Sequence, residues 1–522
     1  MARAAEAALV ALLHFGDPGP VEYFDVLIVG AGLSGIGAAY HLQTKCPAKT
    51  YKILDGRTAI GGTWDLFRYP GVRSDSDMHT LGYPFRPWRD RNAIADGPSI
   101  RNYIRETAQE YGIDRQIRFS HQVTHASWSS RDAAWTLDAM GPEGKPVRLA
   151  CNFLCMCSGY YDYAEGYMPG WPGMDQYQGR IVHPQSWPED LDYKNNRVVV
   201  IGSGATAVTL VPALARSAAH VTMLQRSPTY IVARPSEDTA ANRIRRFLPE
   251  RLALRLIRWK NVLLGMYFYN LSRRKPERVK QEILRLVREQ LGPDYDIQKH
   301  FTPRYNPWDQ RLCLDPDGDL FVAIRSGKVS VVTDEIETFT ERGIRLKSGD
   351  ELQADVIVTA TGLKLKCLGG MQVSIDGTPI DIAGQLSYKG MMIRGIPNLS
   401  YTLGYTNASW TLKCNLVAEY VCRLLRHMST HGYDCATPLG REPAIMNKPA
   451  LDLNSGYIRR GIELLPKQGS ERPWKFHQNY ARDALDLRFS SIDDGTMEFI
   501  RLPNGRRTAF GESETSRETV LP

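Results

Sequence analysis

The chain contains no unbroken run of about 18 or more uncharged apolar residues, so no membrane-spanning helix is expected. It also lacks a Cys-x-x-Cys pair, and its nine cysteines are odd in number and mostly set among apolar neighbours. A disulfide-stapled scaffold, a cysteine zinc site and a vicinal redox pair are therefore not expected, and the thiols suit a reducing, cytoplasmic setting. Cys151, Cys155 and Cys157 have the alternation of a strand instead. No low-complexity segment is found. The opening residues carry a short apolar patch, Ala7 to Phe15, but too little positive charge for a secretory signal. Residues 1–22 read as a loose extension.

What remains is an ordinary globular composition, 43% hydrophobic, in 522 residues, enough for two or three domains with substantial cores. Two glycine-rich loops organise it. The run Phe24 to Val29 reads as a strand buried on both faces. It enters Gly30-Ala31-Gly32-Leu33-Ser34-Gly35 and then a helix-forming stretch. Gly30 suits the tight turn, Gly32 lets backbone approach a pyrophosphate, and Gly35 allows close helix–strand packing. A second strand ends at Asp55, about 20 residues beyond the loop, where a carboxylate can bind ribose hydroxyls.

The second loop, Gly202-Ser203-Gly204-Ala205-Thr206-Ala207, follows the strand Asn196 to Ile201, with alanine at the third glycine position. Its acid is missing. The strand His220 to Leu224 runs into Gln225-Arg226, and a guanidinium there favours the 2′-phosphate of NADPH over NADH. The fold class expected is α/β, with two Rossmann-like dinucleotide-binding domains and a helical insertion. Between the loops lies Tyr177-Gln178-Gly179-Arg180-Ile181-Val182-His183-Pro184-Gln185-Ser186-Trp187-Pro188.

With Gly61-Gly62-Thr63-Trp64, Tyr69-Pro70-Gly71 and Asp75, this segment makes the chain resemble the type I Baeyer–Villiger flavin monooxygenases, within them the ethionamide-activating group. Tyr177 stands where phenylalanine is usual. The resemblance runs from about Tyr23 to Asp486 and implies FAD and NADPH as cofactors. It implies conversion of ketones to esters or lactones through a C4a-peroxyflavin, with O2 and a small ketone or sulfide as partners. Sulfides and thiocarbonyls would be secondary substrates, and a heteroatom-oxidising flavin monooxygenase is the alternative.

The same resemblance implies that Gly61, Gly62 and Trp64 wrap the flavin, with Thr63 also binding cofactor, and that Arg311 is the catalytic arginine, positioned by Asp75. His183 would serve the catalytic cycle from the link between the domains. A fixed cation suits the chemistry, because a guanidinium stays charged when buried and stabilises a developing oxyanion. Gln310 replaces a lysine that many such enzymes carry, which leaves more of the NADPH preference to Arg226.

The expected divisions are FAD-binding segments at 23–160 and 363–510, NADPH-binding segments at 161–235 and 301–362, a basic helical insertion at 236–300, and a loose tail at 511–522. A helix start after Gly404 to Ser409 would face the flavin. From Ala241 to Leu291 there are fourteen Lys and Arg against four Glu. Leu252, Leu256, Trp259, Leu263 and Met266 recur at helical spacing, predicting a stripe packed on the second nucleotide unit with a charged face in solvent. Arg251, Arg255 and Arg258 flank it, a pattern that also suits peripheral contact with an anionic membrane. No nucleic-acid motif accompanies the charge.

Overall fold

The computed structural model describes residues 21–440, 449 and 453–503. The expected tail, and all of the expected extension except residues 21 and 22, lie outside the described residues. Two open sheets carry the architecture. In the first, the strand Glu22–Val29 pairs in parallel with Tyr51–Leu54 on one side and Pro146–Met156 on the other. Val26, Leu27 and Ile28 are buried on both faces, as their continuous apolar run requires. The far edge of Pro146–Met156 is shared. Its first half pairs with Ala134–Met140, and its end receives Leu399–Tyr401 in parallel, so the chain returns to this sheet late.

The second sheet is wholly parallel. Its order is Val329–Thr333, His220–Gln225, Arg197–Ile201, Val356–Thr359 and Arg180–Val182. Each sheet carries one glycine loop at the carboxyl end of a central strand, where open α/β sheets bind ligands. The chain crosses between the sheets at Tyr161–Gly166 and back at Leu363–Leu365, and these two segments pair antiparallel with each other.

The insertion is helical, as Thr239–Phe247, Glu250–Arg274 and Pro276–Leu291. Its packing corrects the expectation. The residues of Glu250–Arg274 that are buried are Ala253, Ile257, Val262 and Ser272. Leu252, Leu256, Trp259 and Leu263 are exposed, so most of the stripe faces outward, while Met266 packs against the core of the first unit. Spacing identifies a face of a helix but not the surface it meets. Here polar anchors decide the matter. Arg258, read as a flank, turns inward and donates Nη1 to the carbonyls of His79 and Gly82 at 2.9 and 2.8 Å. Lys260 pairs with Asp238 at 2.5 Å. The helix therefore braces residues 77–82 of the first unit as well as the second.

The units also touch through Tyr69-Pro70-Gly71. A Cβ on Gly71 would lie 2.4 Å from the Thr209 carbonyl and 2.8 Å from the Ala213 Cβ, and its φ is +79°. Gly71→Ala is expected to cost about 1–3 kcal/mol by strain and by parting the two units. Denaturant unfolding should show a lower midpoint; an unchanged midpoint would mean that the close approach does not hold in solution.

Candidate active site

Three helices of ten or more residues begin at one cavity of about 760 Å³, and no side chain caps any of them. Leu33–Lys45 starts after Gly32, Ala205–Leu214 after Gly204, and Trp410–His431 after Ser409. The Ser409 hydroxyl is engaged elsewhere, with Thr80 Oγ1 at 2.6 Å. First-turn N–H groups are thus left free at three positive dipole ends, an arrangement that favours anionic or carbonyl-rich ligands. The expected helix start after Gly404 to Ser409 is among them.

The glycines show what the space is for. Gly32 and Gly204 have φ of −84° and −78°, a backbone any residue can adopt. A Cβ at Gly204 would meet nothing within 4 Å, and one at Gly32 only ordinary contacts from 3.5 Å. Glycine there serves the open space in front of a helix end, which is what a pyrophosphate needs. Gly35 and Gly202 do different work. A Cβ would fall 1.8 Å from the Gly30 carbonyl oxygen at Gly35, and 2.3 Å from the Ala360 carbonyl oxygen at Gly202.

Asp55 closes the first loop. Its carboxylate accepts the Ala31 N–H at 2.6 Å and the Arg57 N–H at 2.8 Å. Burial raises its pKa, and these donors counter the rise. Arg57 lines the same cavity, where its Nη2 pairs with Asp65 Oδ2 at 2.7 Å.

Arg311 and Asp75 meet in this cavity. Arg311 Nη2 lies 2.9 Å from Asp75 Oδ2, with side chains 31% and 36% exposed. That exposure is to cavity space, so the contact orients more than it stabilises. Asp75 raises the Arg311 pKa against the opposing effect of burial, so the guanidinium is a permanent cation. Tyr160, Tyr161 and Tyr457 surround it.

Each partner is held by its neighbours. Before Asp75, Arg73 grips Asp319 through both terminal nitrogens, at 2.6 and 2.9 Å, and the Ser74 N–H bonds the Ala95 carbonyl. After it, the Asp77 carboxylate caps Met78–Leu81 by accepting the Thr80 N–H at 2.9 Å. Before Arg311, Trp308 adopts φ +67°. That turn is fixed by Arg273 on Asp309 at 2.7 Å and by Tyr269 edge-on to Trp308 at 5.5 Å, both from the insertion. Strand Cys313–Pro316 follows immediately, paired with Ile231–Arg234.

Gly30, Gly32, Asp55, Gly62, Thr63, Trp64, Asp75, Thr206 and Arg311 all line the cavity. Gly35, His183, Gly202, Gly204 and Arg226 do not. Arg226 is exposed at the end of His220–Gln225. Gln225 is occupied structurally, donating to the His300 carbonyl at 2.7 Å and to Thr333 Oγ1 at 2.9 Å. His183 sits at the crossing. Its Nε2 donates to the Gly362 carbonyl at 3.1 Å while Nδ1 accepts the Gln185 N–H at 3.1 Å. Burial lowers its pKa, keeping the ring neutral. Gly166 makes room for the ring, since a Cβ there would come within 1.9 Å of His183 Cε1. His183 thus touches both crossing segments and no part of the cavity.

Arg57, Tyr160, Lys366 and Trp410 line the cavity without having been singled out. Tyr160 stacks on Trp410 at 5.1 Å, and the indole N–H donates to Ser34 Oγ at 2.9 Å. The nine cysteines are free thiols, and burial pushes the Cys155 thiol up to about 12.

A cavity shared by two glycine loops, each at the end of a parallel-paired strand in its own sheet, defines a two-dinucleotide α/β protein. The flavin-binding monooxygenase-like family matches residues 81–284, and the NAD(P)-binding Rossmann-like domain matches 28–92. The FAD-containing monooxygenase EthA of Mycobacterium tuberculosis is 55% identical over 483 residues, covering 92% of this chain and 99% of that protein. EthA of Mycolicibacterium smegmatis is 51% identical over 481 residues, covering 92% and 98%. An oxidised steroid monooxygenase bound to NADP shares the fold, with a TM-score of 0.72 at 20% identity, over 92% of this chain and all of its own. The chain belongs to the FAD-containing monooxygenase family.

The Arg73 cluster gives a pH test. Asp315 is fully buried, and its pKa is raised by burial and by the neighbouring Asp319. The folded state therefore holds this proton more tightly than the unfolded chain, and stability falls as pH rises above the ordinary carboxylate range. Asp315→Asn should melt higher than the parent at alkaline pH, with the gap closing in mild acid. An equal or larger gap in acid would contradict the raised pKa.

Proposed function

We propose that the chain is an NADPH-dependent Baeyer–Villiger monooxygenase that inserts oxygen beside a ketone carbonyl, giving an ester or lactone. The observation that carries this reading is the Arg311–Asp75 pair, set in a cavity that both nucleotide loops reach. FAD held at the first loop would supply dioxygen activation, with NADPH held at the second as the reductant. The protein's own residues set where charge is tolerated. Gly30, Gly32 and Asp55 would hold the flavin nucleotide, with Gly62, Thr63 and Trp64 beside its ring. Gly202, Gly204, Thr206 and Arg226 would hold NADPH, with Gly35 keeping the first helix on its strand.

Arg311 is the catalytic residue of this reading. A guanidinium fixed in a cavity favours oxygen in its anionic, nucleophilic form and then stabilises the oxyanion made when a carbonyl is attacked. Asp75 accepts from one terminal nitrogen, which fixes the plane of the fork and leaves its other donors available. Tyr160 and Trp410 wall the cavity against water. His183 is a positioning residue, joining the two crossing segments on which the units would turn. We divide the chain accordingly: 23–160 with 363–510 for FAD, 161–235 with 301–362 for NADPH, and 236–300 as the insertion that braces both.

A ketone panel under isotope-labelled O2 should give ester or lactone carrying one labelled oxygen. Label confined to sulfoxides, thiocarbonyl S-oxides or N-oxides would instead assign heteroatom oxidation. Arg226→Ala should raise KM for NADPH by about tenfold or more and leave KM for NADH unchanged, as expected for one charge-assisted phosphate contact. Equal changes for both nucleotides would remove Arg226 from 2′-phosphate recognition.

A further inference from the structure

Leu252, Leu256, Trp259, Leu263 and Tyr267 form one row along the outer face of Glu250–Arg274, each 45–60% exposed. At about 1.5 Å per residue the row is roughly 22 Å long. Scattered exposed apolar residues need no explanation, but a continuous row of this kind marks an interaction surface. Arg251 and Arg255 are exposed beside it, with no ion-pair partner among the described residues. From Ala241 to Leu291 the chain carries fourteen Lys and Arg against four Glu, so this one segment holds more positive charge than the +8 of the whole chain.

The inner side of the same helix lines a second chamber of about 610 Å³. Asp75, Ser76 and Leu314 border both this chamber and the nucleotide cavity, so it lies on the open side of the Arg311–Asp75 pair. Leu264 lines the chamber and is 40% exposed, which places the rim beside the row. Across the rim, Trp259 lies 5.9 Å from the ring of Tyr480, another chamber residue.

We propose that this face seats on an anionic lipid surface and that the chamber behind it takes apolar ketones from the lipid. The apolar row would enter the acyl boundary while the arginines meet lipid phosphates, the pattern of an in-plane amphipathic helix. No described helix is long and apolar enough to cross a membrane, so the attachment is peripheral. A substrate held in lipid would reach the chamber rim without passing through water. The substrate half of the proposal rests on the ketone reading above, whereas the docking half stands apart from it.

The full-length holoenzyme is mixed with vesicles of phosphatidylcholine alone or of phosphatidylcholine with phosphatidylglycerol, and bound protein is measured by flotation. Binding to the anionic vesicles is expected, with loss at high salt because charge attraction is screened. A Leu256→Ser, Leu263→Ser, Tyr267→Ser variant should bind at least about tenfold more weakly, and Arg251→Glu with Arg255→Glu should weaken binding by a similar factor. Both variants should retain bound FAD and parental turnover of a short water-soluble ketone. With a long-chain ketone supplied in vesicles, KM should rise and kcat should hold.

Holoenzyme left unbound with anionic vesicles would overturn the proposal. So would a concentration-dependent dimer that the triple variant dissociates, since a second copy would then cover the face. Vesicle binding without labelled ester from any ketone would leave docking standing and remove the ketone reading instead.

Discussion

A guanidinium that works inside a cavity must keep its charge and its direction while a large part of its water is removed. Arg311 meets this requirement through Asp75, and a wide circle of contacts exists to hold that carboxylate and that arginine in register. Arg73 on Asp319 and Asp77 on the Thr80 N–H fix the chain on either side of Asp75. Arg273 on Asp309 fixes the turn before Arg311. The two partners come from segments 236 residues apart, attached to different sheets, so their meeting depends on how the units sit together. A rigid scaffold is what makes such a constellation useful, because misplacement by about 1 Å can cost two orders of magnitude in rate.

The insertion gains meaning from this requirement. It touches the loop after Asp75 through Arg258, with donor distances of 2.9 and 2.8 Å, and the turn before Arg311 through Arg273 and Tyr269. One helix therefore supports both halves of the ion pair from its inner side. The burial of Arg258 lowers its pKa, yet two backbone carbonyls accept its protons and make the charge tolerable. The outer side remains apolar and basic. A docking event there would press on the element that holds the site together.

How much of this could be read from the chain depends on whether the signal was local. The strand–glycine–helix units were legible because each packs its own turn, as Gly35 against the Gly30 carbonyl shows. Asp75 and Arg311 were named through motif resemblance, and the structure places them 2.9 Å apart. Tyr160, Lys366, Trp410 and Arg57 escaped notice because they reach the cavity from separate segments and carry no spacing of their own. The insertion stripe was misjudged for a different reason. Its period was read correctly, but hydrophobicity alone assigned it inward, while Arg258 anchors the opposite side. Polar side chains with buried backbone partners outweighed the apolar pattern.

The most direct test of the central claim uses a substrate bearing both a ketone and a sulfide, with Arg311→Met holoenzyme compared to the parent. The account predicts unchanged FAD content, unchanged bleaching of the flavin by NADPH, persistent sulfoxide, and ester formation reduced by about 100-fold or more, the loss expected when one oxyanion-stabilising donor is removed. Ester formed at close to the parental rate would contradict it.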